Sequence, residues 1–129
     1  MNMNSALKII DQDLHDKKFV RDGAILLVHY LFAHKDEQLH LKYVDLAEIV
    51  GTDSIDLLAS IATYCSGARL PIMKQAMELI IENDNWILDE DAVFHAVKSG
   101  EVYHPETGNL LENGLNYIYP YFTASEEIE

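Results

Sequence analysis

Residues Tyr43 to Cys65 read YVDLAEIVGTDSIDLLASIATYC, and the apolar positions Leu46, Ala47 and Val50, then Ile55, Leu58, Ile61, Ala62 and Cys65, recur at helical spacing around Gly51, Thr52 and Asp53. Two short helices joined by a tight turn are expected over 43–65. A small residue on the first helix lets the second pack closely, and a glycine four positions later permits the left-handed turn conformation; Ala47 and Gly51 have that spacing. Asp53 is placed to cap the second helix, and Asp56 to sit at the positive end of its dipole.

On the N-terminal side, Ala6, Leu7, Ile9, Ile10 and Leu14 predict a short amphipathic helix within residues 1–18. A second helix from about Phe19 to His34 is apolar almost all round between Ile25 and Phe32, the pattern of a helix enclosed by others, and His29 within it reads as a hydrogen-bonded core histidine. Leu39 to Leu41 suggests a short strand before the helical pair. On the C-terminal side, Ile72, Met73, Ala76, Met77 and Ile80 predict a further helix over Leu70 to Asn83, with Pro71 in its first turn, and Trp86 to Leu88 follow as a short apolar segment. Asp89 or Asp91 would cap a helix over Ala92 to Ser99, closed by Gly100. Glu101 to His104, the turn Pro105 to Gly108, and Asn109 to Leu111 have the composition of a hairpin. A turn at Asn113-Gly114 leads into an extended segment ending at Phe122, and 123–129 reads as a frayed tail.

The expectation is one domain over 1–129, α+β and mainly helical, with a helical core over 19–100 and a β-hairpin with an edge strand over 101–122. Length fits a single domain, and 49% apolar with 24% charged residues is enough to bury a core despite a net charge of -13. The order of helix, short strand, helix-turn-helix, helix and hairpin resembles the winged-helix group of DNA-binding folds. That resemblance implies that the second helix of the 43–65 unit enters the major groove, where Arg, Lys, Asn and Gln read bases and phosphates. The residues deny the role: Asp53, Ser54, Asp56 and Ser60 offer no cation, and the wing segment holds His104 and Glu106 without Lys or Arg.

The charge distribution carries the functional reading. From Gln75 to Glu129 there are twelve acidic residues against Lys98 alone, whereas Met1 to Lys74 has ten acidic against eight basic. Like charges gathered on one surface steer a cationic partner and repel DNA and anionic membranes. No catalytic, cofactor or metal motif is recognised. The six histidines, at 15, 29, 34, 40, 95 and 104, include no i, i+4 pair, though His95 and His104 would converge with Glu101 if the short helix folded back on the hairpin. The carboxylates around Trp86 lack the glycine and ligand alternation of a calcium loop, and Cys65 continues an apolar stripe as a buried structural thiol. A single cysteine excludes an intrachain disulfide. The first turns lack the basic start and apolar run of a signal peptide, and the longest apolar stretch is too short to span a bilayer, so a cytoplasmic protein is expected.

Tyr117, Tyr119 and Tyr121 alternate with Ile118, Pro120 and Phe122, so an extended segment would present a tyrosine face suited to an interface, with Pro120 marking an edge. Together with Glu101, Tyr103, Glu106 and Glu112 these tyrosines form the expected partner-binding surface. The reading is a non-catalytic regulator or inhibitor that binds a basic protein, of the nucleic-acid-binding kind. Two alternatives stand beside it: a transcription regulator that binds DNA as an oligomer through Lys17, Lys18, Arg21, Lys35 and Lys42, and a homo-oligomeric adaptor that pairs through the edge at 117–122.

Overall fold

The computed structural model describes residues 1–129 and is α+β, with five α-helices and a three-stranded antiparallel sheet. The elements run α1 (Met3–Leu14), α2 (Lys18–Ala33), α3 (Tyr43–Val50), α4 (Ile55–Cys65), β1 (Met73–Ile81), β2 (Asp84–Leu88), α5 (Glu90–Ser99), a 3-10 turn (Gly114–Tyr117) and β3 (Ile118–Ala124). The sheet order is β2-β1-β3. Two compact units divide the chain, one of Met1–Gln75 with Phe122–Glu129 and one of Ala76–Tyr121. No helix is long and apolar enough to cross a membrane.

The first unit is built on the four N-terminal helices. Asn2 caps α1 by accepting from the Ser5 N–H, and Ala6, Ile10 and Leu14 turn inward. Helix α2 packs against α1, α3 and α4, and buries Gly23, Ala24, Leu27, Val28 and Leu31 on one face. It is not enclosed all round, because Phe19, Leu26 and His29 are exposed; His29 is therefore a surface residue rather than a core histidine. The α3–α4 pair forms as the spacing predicts, with Gly51 at φ 77° closing α3 in the left-handed region. The cap of α4 is Ser54, whose Oγ accepts from Leu57 N–H; Asp53 does not cap it, and Asp56 lies in the first turn. Asp13 of α1 joins the far end of α4, accepting from Tyr64 Oη at 2.9 Å and from Arg69 at 2.7 and 3.1 Å. The Arg69 guanidinium holds the Asp13 carboxyl below the usual carboxylate range. Cys65 is fully buried, and that burial pushes its thiol up to about 12.

The ends of the chain are also ordered in this unit. Leu41 and Phe122 exchange both backbone hydrogen bonds, at 2.9 and 2.7 Å, which is the form the expected 39–41 strand takes. Ser125 is buried and donates to the Ile72 carbonyl, and Glu129 N–H reaches the Met1 carbonyl at 2.9 Å. Residues 123–129 are therefore a tethered terminus, not a frayed tail.

The largest departure from expectation is at 70–83, where strand β1 replaces the predicted helix. β1 pairs antiparallel with β2 in the register Met77 to Leu88, Leu79 to Trp86 and Ile81 to Asp84, across a two-residue turn at Glu82-Asn83. A strand between two others is hydrogen-bonded along both edges, and burial along β1 does not alternate with period 2: Glu78 and Leu79, on opposite faces, are both buried, and Lys74 and Gln75 are both exposed. The turn carries no glycine to announce it, because Glu82 itself adopts the left-handed conformation at φ 56°. Glu78, 1% exposed, accepts from Asn85 Nδ2 at 3.2 Å.

The predicted hairpin at 101–111 is reduced to one antiparallel bridge, Tyr103 to Leu110, closed by His104 N–H to the Asn109 carbonyl and Leu111 N–H to the Val102 carbonyl, each 2.8 Å. The sheet is built from β1, β2 and β3 instead, and nothing in it confirms a winged-helix domain. In the second unit a small core of Leu79, Ala96 and Val102 is lined by Ile81, Trp86, Leu88, Leu111 and Ile118. Helix α5 forms under an Asp89 cap that accepts from Ala92 N–H at 2.7 Å, and ends at Gly100 as expected.

Candidate functional site

All seven residues expected at a partner surface fall in the Ala76–Tyr121 unit, and three of them, Glu101, Tyr103 and Glu106, are drawn into two separate clusters rather than one face. In the first cluster Tyr103 Oη donates to Glu101 Oε2 at 3.2 Å, His95 Nε2 of α5 lies 4.0 Å from Glu101 Oε1, and the His95 and Tyr103 rings sit 6.0 Å apart. The Gly100 turn makes this possible: it reverses the chain after α5, so residues 101–103 run back beside the helix. The Glu101 carboxylate raises the Tyr103 phenol above its ordinary value, first through charge and then through the hydrogen bond. These three side chains line a cleft with Leu88, Ala92 and Val102. Its volume, about 80 Å³, is far below the roughly 300 Å³ of the smallest ordinary ligand sites, so it suits the end of one side chain.

In the second cluster Trp86 Nε1 donates to Glu106 Oε1 at 2.9 Å, and the Trp86 and His104 rings meet edge-on at 4.6 Å. His104 Nδ1 accepts the backbone N–H of Glu106 at 3.1 Å and faces that of Thr107 at 3.4 Å, so the ring organises the turn and carries its proton on Nε2. Here Glu106 is held by the only tryptophan of the chain. His95 and Glu101 converge as the sequence suggested, but His104 does not join them, and no group of three or more His, Cys, Asp or Glu residues is placed to hold a metal ion.

Of the remaining expected residues, Glu112, Tyr117 and Tyr119 are exposed, and Tyr121 is not. Tyr119 is 45% exposed and Tyr121 only 6%, although both project from the same face of β3. Tyr117 precedes the strand in the 3-10 turn. The continuous tyrosine face expected from alternation is therefore broken at both ends. Sequence reading missed Trp86 as part of these clusters. Trp86 carried one signal, an indole N–H that needs an acceptor wherever it is half-buried.

A carboxylate flanked by aromatic rings is the chemistry of a cation site: Glu101 offers the charge, and the His95 and Tyr103 rings offer flat faces to a lysine or arginine end. Neutralising Glu101 should show its hold on Tyr103. In Glu101→Gln the Tyr103 phenol is expected to titrate at lower pH than in the parent, followed through its ring resonances by NMR; an unmoved titration would mean that the carboxylate does not govern the phenol. No protein-family model, curated protein or solved structure matches the chain.

Proposed function

We propose that the protein is a non-catalytic regulator or inhibitor that binds a basic protein, of the nucleic-acid-binding kind, through its Ala76–Tyr121 unit. The observation that carries this reading is the charge of that unit, nine carboxylates against Lys98 alone, set among exposed Ile87, Phe94, Val97, Tyr103, Tyr117 and Tyr119. Carboxylates standing where phosphates would otherwise sit attract a basic partner at long range, while exposed aromatic and aliphatic side chains supply contact area once it arrives. Helix α4 supports the same choice against DNA, since its exposed positions include Ile55, Asp56, Ser60 and Thr63 and no cation. Two of the basic residues needed for the DNA alternative are engaged elsewhere: Arg21 donates to the His15 carbonyl at 3.3 Å and Lys35 to the Glu129 carbonyl at 2.9 Å.

The test is affinity capture from native lysate at low and high salt, with mass spectrometry of what is retained, using the parent and a Glu101→Gln, Glu106→Gln, Glu112→Gln triple variant. A basic protein is expected at low salt, lost at high salt and depleted by the variant. Retention that ignores both salt and variant, or recovery of DNA alone, would overturn the reading.

A further inference from the structure

We propose that the basic partner is held as an added β-strand on the outer edge of β2. This rests on the reading of the Ala76–Tyr121 unit as a basic-protein binder and names the manner of binding. The sheet order makes β2 an edge, and the ladder parity says which of its groups are open. The Ile72 carbonyl, just before β1, accepts from Ser125 after β3, so even-numbered positions of β1 face β3 and odd-numbered ones face β2. Met77, Leu79 and Ile81 therefore bond to Leu88, Trp86 and Asp84, and the N–H and C=O of Asn85 and Ile87 are directed away from β1. No backbone hydrogen bond reaches them from elsewhere in the chain. Asn85 is exposed, and the Ile87 side chain is 72% exposed.

The other edge of the sheet is closed by contrast. Phe122 of β3 faces outward to Leu41, so by the same alternation Pro120 also faces outward, where a partner strand would need an N–H and proline has none. The expected pairing edge at 117–122 is thus blunted, and the open one is β2. Charge decides what fills it. Glu82 and Asp84 stand at one end of β2 and Asp89, Glu90 and Asp91 at the other, with no Lys or Arg between Lys74 and Lys98. A second copy laid antiparallel on this edge would set these carboxylates against one another, whereas an extended segment bearing lysine or arginine gains from both ends.

The experiment follows amide hydrogen exchange of the full chain by NMR, with a short peptide alternating lysine and valine as the probe, and its fully N-methylated counterpart, which keeps the charges but has no N–H to give. Exchange at Asn85 and Ile87 is expected to slow by about tenfold or more as the peptide saturates at low salt, with Trp86 and Leu88, already in the ladder, unchanged. The N-methylated peptide and an Ile87→Pro variant, which removes an outward donor without breaking a ladder bond, should each weaken binding by about tenfold. Salt-sensitive binding that leaves both amides untouched overturns the added strand while the broader reading stands. Protection that appears without peptide and grows with protein concentration overturns it in favour of a second copy. Absence of binding at low salt also overturns it, and the capture experiment then decides the broader reading alone.

Discussion

Phe122→Ala is expected to lower the unfolding free energy by about 3–5 kcal/mol, read from the denaturant midpoint at constant slope. The ring is fully buried among the core residues of the first unit and meets Tyr43 edge-on at 5.6 Å. Its backbone exchanges two hydrogen bonds with Leu41, so the strand cannot easily sink into the space the ring leaves. That places the cost toward the upper part of the range, because cavities that cannot collapse are the expensive ones. Against the 5–15 kcal/mol or so of a typical domain, the loss is a large share of the whole. Cys65 gives a local check, since it is buried in the same core and carries a thiol that hardly ionises while folded. Its labelling by a thiol reagent should accelerate by about a hundredfold or more if the reaction passes through the unfolded state. A loss under about 1 kcal/mol, with labelling unchanged, would show that the site repacks around alanine.

Gly114→Ala is the largest effect expected in the second unit, about 1–3 kcal/mol of overpacking from a single methyl group. A Cβ built on Gly114 would lie 2.5 Å from Val102 Cβ and 3.3 Å from Leu111 Cβ. Both are atoms next to the backbone and cannot swing aside, so the 3-10 turn or the 102–111 segment must move. Val102 belongs to the small core against which Trp86 and Leu111 pack, so the indole environment should change with it. Fluorescence of this lone tryptophan reads that change directly. The variant is expected to lose stability and shift its emission together; an unchanged midpoint with parent-like emission would mean that the turn is free to adjust. Gly23 makes a similarly close approach in the first unit, but its nearest neighbour is the terminal methyl of Ile61, which has more room to turn.

Much of the helical structure was legible because its helices obey local rules. The α3–α4 pair was readable from the Ala47 and Gly51 spacing, and α5 from its Asp89 cap and closing glycine, because capping and left-handed turns act over a few residues. The 70–83 segment was misread for a physical reason. Apolar positions 72, 73, 76, 77 and 80 match a helix, yet residues 73–81 form a strand whose burial does not alternate, and the Glu82 turn carries no glycine to flag it. The tyrosine stripe failed similarly: alternation gives the face of a strand, but not which part of that face is covered. Tyr119 and Tyr121 have the same parity and opposite exposure.

By itself the sequence determined the charge polarity, the absence of an intrachain disulfide, and the helices whose signals lie within one or two turns, since these depend on composition and on neighbours along the chain. Tertiary structure alone decided that 73–81 pairs with 84–88, that His95 reaches Glu101 while Trp86 holds Glu106, and that β2 is the open edge. Strand pairing and side-chain convergence join residues distant in sequence, and their stability comes from burial and hydrogen bonds that exist only once the chain has closed those distances.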